Sequence, residues 1–213
     1  MKWAGVTFLI VIAVAVVAYK MAFPNYTYRY QLKLALEIDG QAYTGSSVIE
    51  VNWGCGLKIA DSGCAADLSG QANLIDLGPR GVLVATLHSG ERVSPTSERG
   101  TDAIFLCANA FGNRSTHEEL PALARLSGRR DLSPTNFPYL VWLPSPADPK
   151  SARKVTLENI SSTIDPTAHF IEGFVEITQK PIVTDIGKEL PWLPTLLREQ
   201  EIKGLLVSQV NSS

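Results

Sequence analysis

The chain of 213 residues carries a formal charge of −2, with 45% apolar residues. A mildly acidic chain has no electrostatic footprint for nucleic acid. Without its apolar start roughly 190 residues remain, which suits one domain with a core that needs neither metal nor many disulfides.

From Trp3 to Tyr19 no residue is charged, and the run is rich in Val, Ile, Leu, Phe and Ala. Its length is the short end of a membrane span, which Met21, Ala22 and Phe23 extend while Lys20 snorkels. Lys20, Tyr26 and Tyr28 are placed at the membrane interface. Cleavage after Ala18 or Ala15 would make the segment a signal peptide and the rest a secreted soluble protein. Neither site has the polar stretch that normally precedes cleavage, so an uncleaved anchor over residues 1–23 is the preferred reading. Flanking charges nearly tie under the positive-inside rule. The short N-terminal tail resembles an export signal, and the expected location is the inner membrane, single-pass, with the C-terminal domain in the periplasm.

After Pro24 the stretch Tyr26 to Ile38 alternates, with Tyr28, Tyr30, Leu32, Leu34, Leu36 and Ile38 on one face, which predicts a half-buried strand. Asp39-Gly40 supplies the positive φ values of a type I′ turn, and residues up to Val51 return as the second strand of a 26–51 hairpin. Gly54 to Gly70, rich in Gly, Ser, Ala and Asp, reads as an irregular excursion. A second hairpin over 72–88 joins Ala72–Leu77 to Val82–Leu87 through Gly78-Pro79-Arg80-Gly81. Ser89 to Thr101 is a polar loop, and Asp102 to Phe111 fits either a buried strand or a helix. Glu118 to Gly128 is a helix candidate. Arg125, Arg129 and Arg130 near its end suit the negative end of the helix dipole, a solvated helix end being preferred to a phosphate site. Pro138 to Leu143 reads as a strand, Lys154 to Leu157 as a short one, and Asn159 to Thr167 as a turn region. Ala168 to Thr178 reads as a strand with Ile171, Gly173, Val175 and Ile177 on one face. A helix is plausible from Pro191 to Leu206, followed by a frayed tail at 208–213. The fold class is α+β, predominantly antiparallel sheet with a few short helices, in one domain over 24–207.

Several of these stretches carry a resemblance: Tyr28-Arg29-Tyr30, Thr44 to Val51, Asp148-Pro149, and Pro181 to Leu193 ending in Leu190-Pro191-Trp192-Leu193. They resemble an uncharacterised family of small, N-terminally anchored envelope proteins of proteobacteria. The resemblance implies an envelope setting and a shared fold, and it carries over no functional residue.

Cys55 and Cys64 are a candidate disulfide, which an extracytoplasmic location permits. Their spacing matches neither a CxxC redox motif nor a zinc knuckle. Cys107, inside an apolar run, reads as a core thiol. His88, His117 and His169 form no HxH or HExxH pattern, so no metal or cofactor is expected. Ser46 and Ser47 lack the second glycine of a nucleophile elbow. Asn25, Asn113, Asn159 and Asn211 begin N-x-S/T sequons. Phe137, Tyr139, Trp142 and Trp192 are candidates for an aromatic partner surface, with core packing the alternative. The leading function is a non-enzymatic binding or scaffold module with a protein or lipid partner in the envelope. The alternative is a membrane-tethered hydrolase or thiol enzyme using Cys107 or a serine with a histidine.

Overall fold

The computed structural model describes residues 11–15, 17, 19, 23–56, 63–87, 100–182, 184 and 186–192. Most of the expected span from Trp3 to Tyr19 lies outside the described residues, as do Lys20, His88, most of the Ser89–Thr101 loop, Asn211, the tail, and all but Pro191 and Trp192 of the expected Pro191–Leu206 helix. Residues 11–15, 17 and 19 are helical. Among the described residues no helix is long and apolar enough to cross a membrane.

The first hairpin forms as its alternation dictates. Strands β1 (Asn25–Ile38) and β2 (Gln41–Cys55) pair without a break. Asp39 and Gly40 turn between them at φ of 53° and 75°, the two left-handed residues of a type I′ turn. Tyr28, Tyr30, Leu32, Leu34, Leu36 and Ile38 are all buried along one face of β1. Each aliphatic member of such a row stabilises the fold by about 1.5–3 kcal/mol relative to exposure.

The stretch read as irregular contains a strand. β3 (Cys64–Gly70) pairs with the far edge of β2, with Cys55 opposite Cys64 and Leu68 opposite Val51. Its Ala, Asp, Ser and Gly residues have weak strand preference, but the open edge of β2 and the cross-strand cysteine pair supply what propensity does not. On the other side of β1 lie β9 (His169–Ile177) and then β6 (Arg129–Asp131), giving the order β3-β2-β1-β9-β6. The expected face of β9 changes partway along. Glu172 faces Ala35 and Phe170 faces Leu36, so Ile171 is the extra residue of a bulge. Phe170 therefore turns inward against Phe137, ring centroids 4.9 Å apart, and Ile171 is exposed.

The second sheet has the order β4-β5-β7-β8, from β4 (Asn73–Asp76), β5 (Val82–Ala85), β7 (Leu140–Leu143) and β8 (Arg153–Val155). Ile75, Leu83, Ala85, Leu140 and Val155 join the buried row of β1 and the inner residues of β2 in one core. Three short helices close the open parts of that core: α1 (Ala103–Ala110), α2 (Leu120–Leu123) and α3 (Ile160–Thr163). α1 settles the ambiguous apolar run as a helix. α2 is much shorter than the helix expected over Glu118–Gly128. Gly128 turns at φ 82° and the chain then pairs with β9, so Arg129 and Arg130 stand on a strand and not at a helix end. Arg129 lies over the Phe174 ring, 3.6 Å from its centroid, and Arg130 over that of Phe111 at 4.7 Å.

The two sheets meet most closely where β4 crosses β2. The Nδ2 of Asn73, a residue with no exposed surface, donates to the carbonyl oxygens of Leu32 and Gly45, 3.2 Å from each. A Cβ at Gly45 would overlap the Leu74 carbonyl oxygen and Asn73 Oδ1. This close approach of backbone to backbone explains the glycine before Ser46-Ser47, both of which are strand residues. Gly45→Ala is expected to destabilise the protein by about 1–3 kcal/mol in urea unfolding, the usual cost of overpacking. Gly63→Ala, at a site with nothing within 4 Å, should stay within about 0.5 kcal/mol of the parent.

Candidate functional site

The residues Val82–Ala85 are buried without alternation, which means that both faces of β5 are covered. Leu83 and Ala85 face the core, while Val82 and Val84 pack outward with Leu143, Val141 and Leu190. The outer cover is the segment after β9. A 3-10 turn at Ile186–Lys188 is pinned at its start by the Ile186 amide, which donates to Gln71 Oε1 at 2.8 Å. The segment is pinned again where Trp192 Nε1 donates to the Pro146 carbonyl at 2.7 Å.

Between these pins the cover stands off the sheet and leaves a cavity of about 640 Å³. Its floor is Val84, Val141 and Leu143, its wall Ile186, Leu190 and Trp192, and among the described residues no charged side chain lines it. Ala152, exposed, stands at its rim. The volume lies within the range of small-molecule sites, about 300–1,000 Å³. A ligand held there would gain from burial of apolar surface and would meet few polar groups to orient it. A second hollow, of about 460 Å³, is polar and lined by Asn109, Asn113 and Asn136 among others. Asn109 Nδ2 and Asn136 Oδ1 are buried there without a protein partner, as expected of groups that bond to water.

The four aromatics expected to share a partner surface are divided by the second sheet. Phe137 and Tyr139 are buried. Trp142 packs against the core side, its Nε1 donating to the Arg80 carbonyl at 2.8 Å. Of the four, Trp192 alone lines the apolar cavity. Tyr28, placed at the membrane interface by its sequence position, belongs to the core, where its hydroxyl donates to the Ile104 carbonyl at 3.2 Å. Tyr26 is half-buried.

Cys55 and Cys64 are disulfide-bonded, with Cα atoms 4.1 Å apart. His117 Nδ1 lies 3.0 Å from Cys64 Sγ, a neighbour that sequence spacing gave no means of finding. Cys107 is fully buried on α1. No described histidine serves it as a base: His117 is at the disulfide, and His169 Nδ1 sits 2.9 Å from the Thr167 carbonyl. Asn113 is buried, so its sequon offers no acceptor in the folded chain, whereas Asn25 is exposed.

Comparison with protein-family models, with curated proteins and with solved structures gave no match.

Burial pushes the Cys107 thiol and the Tyr28 and Tyr30 hydroxyls well above their ordinary pKa values, with the nearby Cys107 raising both tyrosines further. Because the folded values exceed the unfolded ones, the stability these groups contribute is complete below about pH 8.5 for the thiol and about pH 10 for the phenols. It is lost as the pH rises beyond those points. The urea midpoint should fall between about pH 8 and pH 11, and Cys107→Ala should flatten the early part of that fall. A midpoint constant over this range would contradict the reading.

Proposed function

We propose that the chain is a membrane-tethered, extracytoplasmic binding module of the bacterial envelope, and that the apolar cavity on the second sheet holds an acyl chain of a lipid. The observation that carries this reading is the cavity itself: an aliphatic floor, an indole wall and, among the described residues, no charged side chain in the lining. An acyl chain is the ligand class that such a lining favours, since it brings apolar area and no buried charge to be matched.

Three further features support the setting. Val11, Val14, Val17 and Tyr19, on the helical residues before the domain, are 58–65% exposed, an arrangement that suits lipid contact better than water. The Cys55–Cys64 disulfide suits an oxidising compartment outside the cytoplasm. The resemblance to anchored proteobacterial envelope proteins suits an envelope setting.

The full chain in detergent should bind a fluorescent fatty acid saturably at one site. Ala152→Trp, which narrows the rim from an exposed position, should weaken that binding at least about tenfold, a loss of about 1.4 kcal/mol. Equal binding by parent and variant would remove the cavity from consideration. Binding that appears only after residues 193–213 are deleted would make the chain's own C-terminal segment the occupant and overturn the lipid assignment. For topology, alkaline phosphatase fused after Ser213 should be active in cells. An inactive fusion, with a cytoplasmic reporter active at the same point, would contradict the periplasmic placement.

A further inference from the structure

The membrane-proximal end of the first sheet holds a group of side chains that the acyl-chain reading does not use. β1 begins just after the apolar segment, and at this end the Cys55 amide donates to the Pro24 carbonyl at 3.1 Å. Cys55 and Cys64 face each other across β2 and β3, and His117, in the turn before α2, reaches over them. One ligand atom from each of Cys55, Cys64 and His117 lies within 4.8 Å of the other two. Cys55 is buried, Cys64 half-buried and His117 exposed, so the group opens to solvent on the His117 side.

While the disulfide is intact both sulfurs are bonded to each other, and the group has no thiolate to offer a metal. We propose that reduction of this disulfide by a dithiol converts Cys55, Cys64 and His117 into a Cys₂His site for Zn²⁺, with the fourth position open. The dithiol transfers two electrons and two protons to the S–S bond and becomes a cyclic disulfide, leaving two cysteine thiols. Zn²⁺ then displaces both thiol protons and accepts a lone pair from His117 Nδ1.

The chemistry follows from the donor set. Two thiolates and one imidazole match the soft-to-borderline preference of Zn²⁺, and tetrahedral Zn²⁺ with three protein ligands keeps one position for water or an exogenous ligand. The adjustment required is local. Zn–S bonds of about 2.3 Å separate two thiolates on one tetrahedral ion by less than about 4 Å, a distance that rotation of the cysteine side chains supplies on neighbouring strands. His117 is already at Cys64, and because it is exposed its ring can turn without disturbing the core. The site lies where the chain leaves its apolar segment, so metal bound there would be held next to the membrane surface of the proposed anchor.

The test uses the full chain in detergent, reduced with dithiothreitol, desalted anaerobically and titrated with Co²⁺. The reduced protein should take up one equivalent, with a thiolate-to-Co²⁺ charge-transfer band, which Zn²⁺ then abolishes. The oxidised protein should give no band. His117→Ala, at an exposed position, should weaken Co²⁺ binding at least about tenfold while leaving both thiols titratable. The proposal is overturned if the reduced protein gives no band, or if His117→Ala binds as tightly as the parent. It also fails if reduction unfolds the chain and Zn²⁺ does not restore its circular dichroism. None of these outcomes depends on fatty-acid binding, so this proposal and the acyl-chain reading stand or fall separately.

Discussion

The crossing of β4 over β2 at Gly45 is the contact on which the arrangement of the two sheets rests. A side chain at that position would hold the backbones apart, and without Asn73 the junction would lose the amide that bonds to both Leu32 and Gly45. With the junction closed, the inner face of the second sheet completes the core against β1. Its outer face is then free to be roofed by the residues from Ile186 to Trp192. The cavity is therefore a consequence of the junction: one face of β5 and β7 is used for the core, and the described residues cover the other only in part.

Much of the fold was legible in the sequence, and the parts that were not share a cause. The first hairpin was readable because a long strict alternation and an Asp-Gly turn agree on one register, and both φ values took the required sign. The bulge in β9 was not, because alternation of Ile171 with Gly173 fits an unbroken strand equally well. Only the pairing of Phe170 with Leu36 shows which side chain turns inward. β3 was hidden by its composition, since the neighbouring edge of β2 and a disulfide specify it more than its own residues do. The helix expected to reach Gly128 stops at Leu123, where the Arg125 and Leu126 amides donate to the carbonyls of Ala122 and Leu123, three residues back, and Gly128 then turns the chain into the pairing of Arg129–Asp131 with β9.

The candidate site was less legible still. The cavity draws on five separated parts of the chain, around residues 70–72, 84–87, 141–143, 152 and 184–192, and each reads in sequence as an ordinary apolar or loop segment. Trp192 stands out in the sequence beside Phe137, Tyr139 and Trp142, which lie on the other side of the sheet or in the core. His117 beside the disulfide is a similar case, because only the path of the turn before α2 brings it there. Spacing rules find ligands that are close in sequence, and neither group is.

The outer face of the first sheet balances its charges locally. Glu172 accepts from Lys33 and Arg129, which hold its carboxyl below the ordinary range, and Arg29 pairs with Glu50. Arg80 ties the first hairpin turn to the loop before β9 through Asp39 and Asp165. These pairs offset positive charge with negative, in contrast to the apolar lining of the cavity. The most direct measurement is photocrosslinking of a phospholipid bearing a photoactivatable acyl chain to the full chain in native membranes, with the adducts mapped by mass spectrometry. Adducts on the cavity floor and wall, in the peptides that contain Val141 and Leu190, are the predicted result. Adducts confined to residues 3–23, with none on the cavity walls, would contradict the account.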